Sequence, residues 1–345
     1  MTLLTTHNPI RPLPAATASE LMRIFIDQDT DALLVGACLA LLAQRVPEAH
    51  ELAAFADALA EAAVPFPPVP VGALDVVGTG GDGASTANLS TLSALLLAQL
   101  GVPVVKHGNR AATSVCGSAD LMEALGYDLS RATSDLARDL EARNFAFLFA
   151  PAFHPLLGRL REIRRRLGIP TIFNLLGPLL NPAHPPLQVL GVAREDLLMS
   201  MAGALARRQT LRRAYVIHGK DAEGKGLDEA SIEGPTLVVG VSGGQVLPPQ
   251  VLVPRELGLV PPPRHALRVA DRAEALTVAR GIFGGVAHAD FRPAVADAVA
   301  LQAALGLLLH RDAGLEHLAE SLKEARARIN QGFSPPFSHP SEARP

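Results

Sequence analysis

Residues able to do chemistry crowd one stretch of the chain, residues 75–120. Residues 74–77 read as a short buried strand that opens into Gly78-Thr79-Gly80-Gly81-Asp82-Gly83, four glycines in six residues. Such a run costs backbone entropy, and the usual return is positive φ or a ligand brought close to the main chain. Ser85, Thr86, Asn88, Ser90 and Thr91 follow, and an apolar helical period starts near Leu89. A second strand, residues 102–105, leads into a loop carrying Lys106, His107, Gly108, Asn109 and Arg110. Ala111, Ala112, Thr113, Ser114 and Ser118 continue it towards another helix. Backbone N–H groups, hydroxyls and positive charge together suit a polyanion, most simply phosphate. In a parallel α/β sheet, neighbouring strands deliver their loops to one carboxyl edge, so both loops would face one crevice.

Two other phosphate motifs fail on context. Gly78, Gly80 and Gly83 spell the dinucleotide fingerprint, which needs the helix to begin inside the glycine run and an acidic residue ending the next strand. Here residues 85–88 intervene, and the next strand ends in Lys106-His107. Residues 219–226, GKDAEGKG, nearly spell a P-loop, but no helix pattern follows and the last position is Gly226. They read as a loop.

The strings GTGGDG, NLST, KHGNR and GSAD, in that order, resemble the anthranilate phosphoribosyltransferase family. FLFAPAFHP (147–155), IRRRLGIPTIFNLLGPLLNPAHPP (163–186) and GLDEAS (226–231) extend the resemblance over about residues 15–330. It implies transfer of a phosphoribosyl group from 5-phosphoribosyl 1-pyrophosphate to the amine of anthranilate, with Mg²⁺, in tryptophan biosynthesis. The matched positions imply a phosphoribosyl pyrophosphate site at Gly78, Thr79, Gly81, Asp82, Thr86, Asn88, Leu89, Ser90 and Thr91, continued by residues 106–114 and Ser118. They imply an anthranilate site at Gly78, Asn109, His154 and Arg164, and metal ligands at Ser90, Asp228 and Glu229. Oxygen-only coordination completed by phosphate suits Mg²⁺, and an arginine fork suits a carboxylate. No residue is assigned as a certain proton-transfer group; Lys106, Asn109 and Arg164 position and neutralise charge. Where many members read KHGNRSVSSKSGSAD, this chain has Val115 for a basic residue and Cys116 for a small polar one. Thr86-Ala87 and Gly168-Ile169-Pro170-Thr171 also depart, the latter losing an arginine.

The implied fold is α/β: a small all-helical domain and a larger domain with a central, mostly parallel sheet, as in nucleoside phosphorylases and phosphoribosyltransferases. The helical domain is assigned to residues 1–70 plus about 155–186, and the α/β domain to 71–154 and 187–335, with a loose tail at 336–345. Helical periodicity covers 19–27, 30–45 and 48–63; the second is apolar nearly all round and is expected to be buried. VPFPPVPVG (64–72) is a stiff extended linker. Helices are expected at 118–125, 130–143, 153–167 and 195–207, and strands at 145–149, 187–192, 213–218, 237–241 and 245–247. Three helices, 272–283, 294–309 and 315–329, close the chain. The arginines of 153–167 form a solvated basic face, Arg164 excepted.

At 345 residues the chain has room for two domains. A net charge of −3 argues against a nucleic-acid surface, and two cysteines suggest no disulfide framework. No membrane-spanning run or signal-peptide pattern is read, so a cytosolic protein is expected; the family resemblance implies a homodimer through the helical domain. A pyrimidine nucleoside phosphorylase and a non-catalytic nucleic-acid-binding paralogue are the competing readings. The first lacks its phosphate and pyrimidine signatures here. The second would lose GTGGD and KHGNR and carry a basic surface.

Overall fold

The computed structural model describes residues 8–111 and 115–337. Three helices open the chain: α1 (Ala15–Ile26), α2 (Ala32–Leu42) and α3 (Ala49–Ala60). Asp31 caps α2 by accepting from the Leu33 N–H at 2.9 Å. The expected burial of α2 holds for one side only: Val35, Cys38 and Leu39 are buried, whereas Leu33 is 78% exposed. A helix apolar all round needs cover on every side, and α2 has neighbours on only part of its circumference. Glu51, fully buried at the start of α3, accepts from the Leu13 and Glu48 N–H groups and pairs with Arg45.

The sheet then begins. β1 (Leu74–Gly78), α4 (Leu89–Gln99), β2 (Val104–Gly108), α5 (Ser118–Ala124), α6 (Thr133–Arg143) and β3 (Phe145–Phe149) make two successive parallel crossovers. The helix expected at 153–167 is broken. A single turn α7 (Ala150–Phe153) and a 3₁₀ turn at Pro155–Leu157 precede α8 (Gly158–Leu167), because Pro155 supplies no N–H to continue the ladder. A short α9 (Ile172–Leu176), not anticipated, leads to β4 (Leu187–Gly191), α10 (Leu198–Ala206) and β5 (Arg213–Lys220). The hairpin partner β6 (Gly226–Leu227), β7 (Thr236–Ser242), β8 (Gln245–Val246) and β9 (Gln250–Leu252) follow, then α11 (Arg272–Gly284), α12 (Pro293–His310) and α13 (Leu318–Gln331).

Strand order is β3-β2-β1-β4-β5-β7-β8, with β3 to β5 parallel and β6 to β9 added antiparallel. The chain runs outward from β1 to β3, then returns to the other side of β1 with β4. That reversal makes the carboxyl ends of β1 and β4 a topological switch point, where open α/β sheets leave a crevice. Alternation along β5 sends Tyr215 and Ile217 to one core and Ala214 and Val216 to the other. The first core joins the sheet to α4, α11, α12 and α13; α12, long and apolar enough to span a bilayer, lies mostly buried within it. The second joins the opposite face to α1, α2, α3, α10 and residues 160–180.

β2 starts two residues later than expected and continues through Lys106 and His107, so these are strand residues and not loop residues. Their side chains are 2% and 6% exposed. A polar pair reads as loop by composition, and here buried partners hold it in the sheet.

Asn181 ties the sheet to the segment before β4. Its Nδ2 donates to Asp75 Oδ2 (2.9 Å) and to Val105 O (2.8 Å), and its Oδ1 accepts from the Ala183 N–H (3.0 Å). Removing such a group strands buried partners. Asn181→Ala is expected to cost about 2–4 kcal/mol in equilibrium urea unfolding, whereas a loss below about 1 kcal/mol would show the knot to be solvated.

Candidate active site

The switch point is open to an intruding segment because two glycines face each other across it. Gly78 and Gly191 are in register at the ends of β1 and β4. A β-carbon on Gly78 would lie 2.1 Å from Asp228 Oδ2, and one on Gly191 would lie 1.6 Å from the Asp228 carbonyl oxygen. Only residues without a side chain admit Asp228-Glu229 there. The carboxylates arrive on the chain leaving β6, and both residues are buried.

The glycine turn wraps this pair. The Gly80 N–H donates to Asp228 Oδ2 at 2.6 Å, and the Thr79 N–H donates to Gly191 O at 2.9 Å. Gly80, Gly81 and Gly83 all hold positive φ. Asp82 folds back to accept from the Ala84 N–H. The chain returning through Thr86 is pinned to residues 267–269 by an isolated bridge: the Ala87 N–H donates to Leu267 O, and the Val269 N–H to Ser85 O.

Next comes the first turn of α4. The Ser90 N–H donates to Glu229 Oε1 at 3.2 Å, and the Asn88 Nδ2 donates to Cys116 O at 2.9 Å. Asn88 Oδ1, Thr91 Oγ1 and Glu229 Oε2 are buried without a hydrogen-bond partner. Leu89 is a core side chain, so only its main chain is available to a ligand. Lys106 reaches beneath from β2, its Nζ donating to Val76 O (2.5 Å) and Ser90 Oγ (3.4 Å).

Charge is concentrated out of solvent here. Burial, with Asp82 alongside, pushes the Asp228 carboxyl up; burial and then Asp228 itself push Glu229 up. Burial lowers the Lys106 ammonium, opposed by Asp75, Glu229 and Asp228. Asp75, inside β1, is raised to about 6 by burial, with Lys106 opposing. Sequence reasoning gives no role to Asp75 or to its partner Asn181. An acidic residue within the apolar LDVVG run is the available signal.

His107 and His154 meet edge to face, ring centres 5.3 Å apart. Burial, then His154, hold His107 down to about 3; burial also lowers His154, whose Nε2 lies 2.8 Å from Leu180 O. Both are therefore neutral near pH 7.

The loop after β2 is closed by Asp120. Its Oδ2 accepts from the Ala111 and Gly117 N–H groups at 2.9 and 3.0 Å. The Ser118 Oγ lies 3.2 Å from both the N and the O of Asn109, and Gly108 packs against Ser118 and Phe147. The Arg110 guanidinium is engaged by Asp120 and, through two bonds, by Glu123, and lies over the Phe149 ring. Ala112, Thr113 and Ser114 lie outside the described residues. Val115 is 39% exposed and Cys116 is buried.

Arg164 stands apart from this assembly. Its Nη2 donates to Asn174 Oδ1 at 3.3 Å, and its guanidinium carbon lies 5.5 Å from the centre of the Phe173 ring. Burial lowers its pKa. Among the described residues no hydrogen bond or ion pair joins it to β1, β2 or their loops.

Residues 71–334 match the glycosyl transferase family, a/b domain. An anthranilate phosphoribosyltransferase of Synechococcus sp. (strain CC9902) is 43% identical over 323 residues, covering 93% of this chain and 89% of that protein. The crystal structure of anthranilate phosphoribosyltransferase from Thermus thermophilus superposes with a TM-score of 0.85 at 39% identity, covering 96% and 95% of the two chains. The Saccharomyces cerevisiae enzyme, solved in complex with PRPP and Mg, gives 0.76 at 26% identity over 92% and 89%. These similarities lend no support to the phosphorylase or nucleic-acid-binding readings. In sequence, in fold and over nearly its whole length, the chain belongs to the anthranilate phosphoribosyltransferase family.

Proposed function

We propose that the chain transfers the phosphoribosyl group of 5-phosphoribosyl 1-pyrophosphate to the amine of anthranilate, releasing pyrophosphate, with Mg²⁺ as cofactor. The observation that carries this reading is the convergence at the switch point: a positive-φ glycine turn, the first turn of α4, a buried lysine and a buried carboxylate pair. The relatives' names supply the acceptor.

In the reaction, the bond from the anomeric carbon to pyrophosphate breaks and a bond to the amine nitrogen forms, the amine losing a proton. Charge leaves with pyrophosphate, so the site's work is alignment and neutralisation. Backbone N–H groups of residues 81–83 and the side chains of Asn88, Ser90 and Thr91 hold the phosphates, with Lys106 as the point charge. The residues fit a metal: Asp228 and Glu229 are adjacent, raised by burial and then by neighbouring carboxylates, and Glu229 Oε2 has no other partner. Among the described residues no group of three His, Cys, Asp or Glu is placed to hold a metal, so Ser90 Oγ and phosphate oxygens would complete the set. Bound there, Mg²⁺ would neutralise charge on the departing pyrophosphate. Arg164 clamps the anthranilate carboxylate while Asn109, Gly78 and His154 line the amine's side. Asn174 and Phe173 orient Arg164 for that task.

We place residues 1–70 with about 155–186 in a helical domain and 71–154 with 187–335 in an α/β domain. Closure about residues 64–72 then carries Arg164 to the phosphoribosyl site. A homodimer through the helical domain would cover exposed Leu33.

Anthranilate fluorescence should disappear only when both the sugar phosphate and Mg²⁺ are supplied; no consumption by folded protein would refute the assignment. Arg164→Ala should raise the anthranilate KM by about ten- to a hundredfold, the worth of a charge-assisted bond, with the sugar-phosphate KM little changed. In metal titrations, Glu229→Gln should raise the Mg²⁺ needed for half-maximal rate by roughly tenfold or more, and an unchanged requirement would remove Glu229 from the metal site.

His107 makes a separate prediction about stability. Its folded pKa lies below the unfolded value, so the fold favours neutral imidazole. That contribution is whole above pH 6.5 and is lost as pH falls towards 3. The loss is on the order of 5 kcal/mol at most. Urea unfolding at pH 7 and pH 4 should show His107→Gln much less acid-sensitive than the natural chain; equal sensitivity would mean that His107 stays solvated.

A further inference from the structure

The hairpin after β5 carries two lysines, and only one of them has a carboxylate. Lys220 pairs with Glu195 at 2.8 Å, and Arg264 beside the hairpin pairs with Glu223 at 3.1 Å. No carboxylate among the described residues lies within 4.0 Å of Lys225. Its ammonium stands instead 3.4 Å from where a β-carbon would lie on Gly83, at the tip of the glycine turn. The glycine turn also carries Asp82, and its Gly80 N–H and the Ser90 N–H donate to Asp228 and Glu229, so three carboxyl groups gather on this side. A polyanion entering there meets acidic side chains, and Lys106 lies buried beneath them.

The backbone that presents Lys225 is well tied. Residues 221–225 close the hairpin whose strands pair Gly219 with Leu227 and Lys220 with Gly226. Asp221 Oδ1 accepts from the Glu223 and Lys225 N–H groups at 3.0 and 2.8 Å, and the Asp221 N–H donates to Lys225 O at 2.9 Å. The Ala222 N–H donates to Glu233 Oε2, and the Glu223–Arg264 pair links the hairpin to the segment that binds the glycine turn. The same hairpin continues directly into Asp228 and Glu229. Its loop thus faces the outside of the turn while its exit faces the inside.

We propose that Lys225 is a phosphate-binding residue of this enzyme, closing over the glycine turn to hold the diphosphate of the donor substrate from the side opposite Lys106. The proposal rests on the phosphoribosyl-transfer reading given above. A compact ammonium on a flexible four-carbon stem suits a role as a point charge for phosphate oxygens. Gly83, lacking a β-carbon, leaves the path clear. The interaction is solvent-facing and so is weakened by salt.

The test is steady-state kinetics of the full chain with saturating anthranilate and Mg²⁺. Lys225→Gln should raise the KM for phosphoribosyl pyrophosphate about three- to tenfold, leave the anthranilate KM and kcat within twofold, and reduce the salt dependence of the donor KM. Lys225→Arg should recover most of the loss, and product inhibition by pyrophosphate should weaken in parallel with Lys225→Gln. A donor KM within twofold of the natural chain overturns the proposal, as does an equal rise in both substrates' KM, which would mark a distorted turn. If the natural chain does not consume anthranilate at all, the acceptor assignment fails on its own. Pyrophosphate with Mg²⁺, titrated calorimetrically, then decides: weaker binding by Lys225→Gln than by the natural chain supports the proposal, and equal binding overturns it.

Discussion

Everything at the site follows from a missing pair of side chains. Parallel strands β1 and β4 end side by side in Gly78 and Gly191, and the Asp228 backbone and carboxylate occupy the volume that two methyl groups would fill. Close packing leaves no slack for a compromise. Asp228 can accept from the Gly80 N–H, and Glu229 from the Ser90 N–H, only because the intruding segment lies against the strand ends. One contact therefore sets the shape of the glycine turn and the entry to α4 together.

Admitting carboxylates there creates an electrostatic problem that is resolved in depth. Lys106 is buried under the site with Asp75 on the next strand, and Asp75 is held in turn by Asn181. A buried ion unpaired in this way would be costly, and a chain of partners distributes the cost. The result is a buried cluster whose carboxyl groups are pushed up and whose ammonium is pulled down, the kind of perturbation that gathers at functional sites.

Much of this is legible in the sequence because local signals agree with the fold. The helix beginning at Leu89 and the strand Phe145–Phe149 stand where periodicity puts them. The glycine run, the KHGNR string and the Asp-Glu pair mark the site's parts, although no local rule shows that Gly191 faces Gly78. Polarity normally means exposure, which puts Lys106 and His107 in a loop when they are read by type alone. The burial of Lys106 depends on Asp75, 31 positions away by sequence number and adjacent only once β1 and β2 pair. Asn181 is 106 positions from Asp75 and carries no pattern of its own. The hairpin at 219–227 resembles a P-loop by spelling, and antiparallel pairing decides otherwise.

The seam at Asp120 has an evolutionary reading. One carboxylate oxygen joins Ala111 to Gly117, while Ser118 grips Asn109 directly. Asn109 is thereby referenced to α5 and not to the residues between the two clasped ends. A change of side chain at exposed Val115 is then uncoupled from the placement of Asn109. Cys116 is less free, being buried in the core with its carbonyl oxygen accepting from Asn88 Nδ2, so tolerance to substitution falls on the exposed side of the clasp.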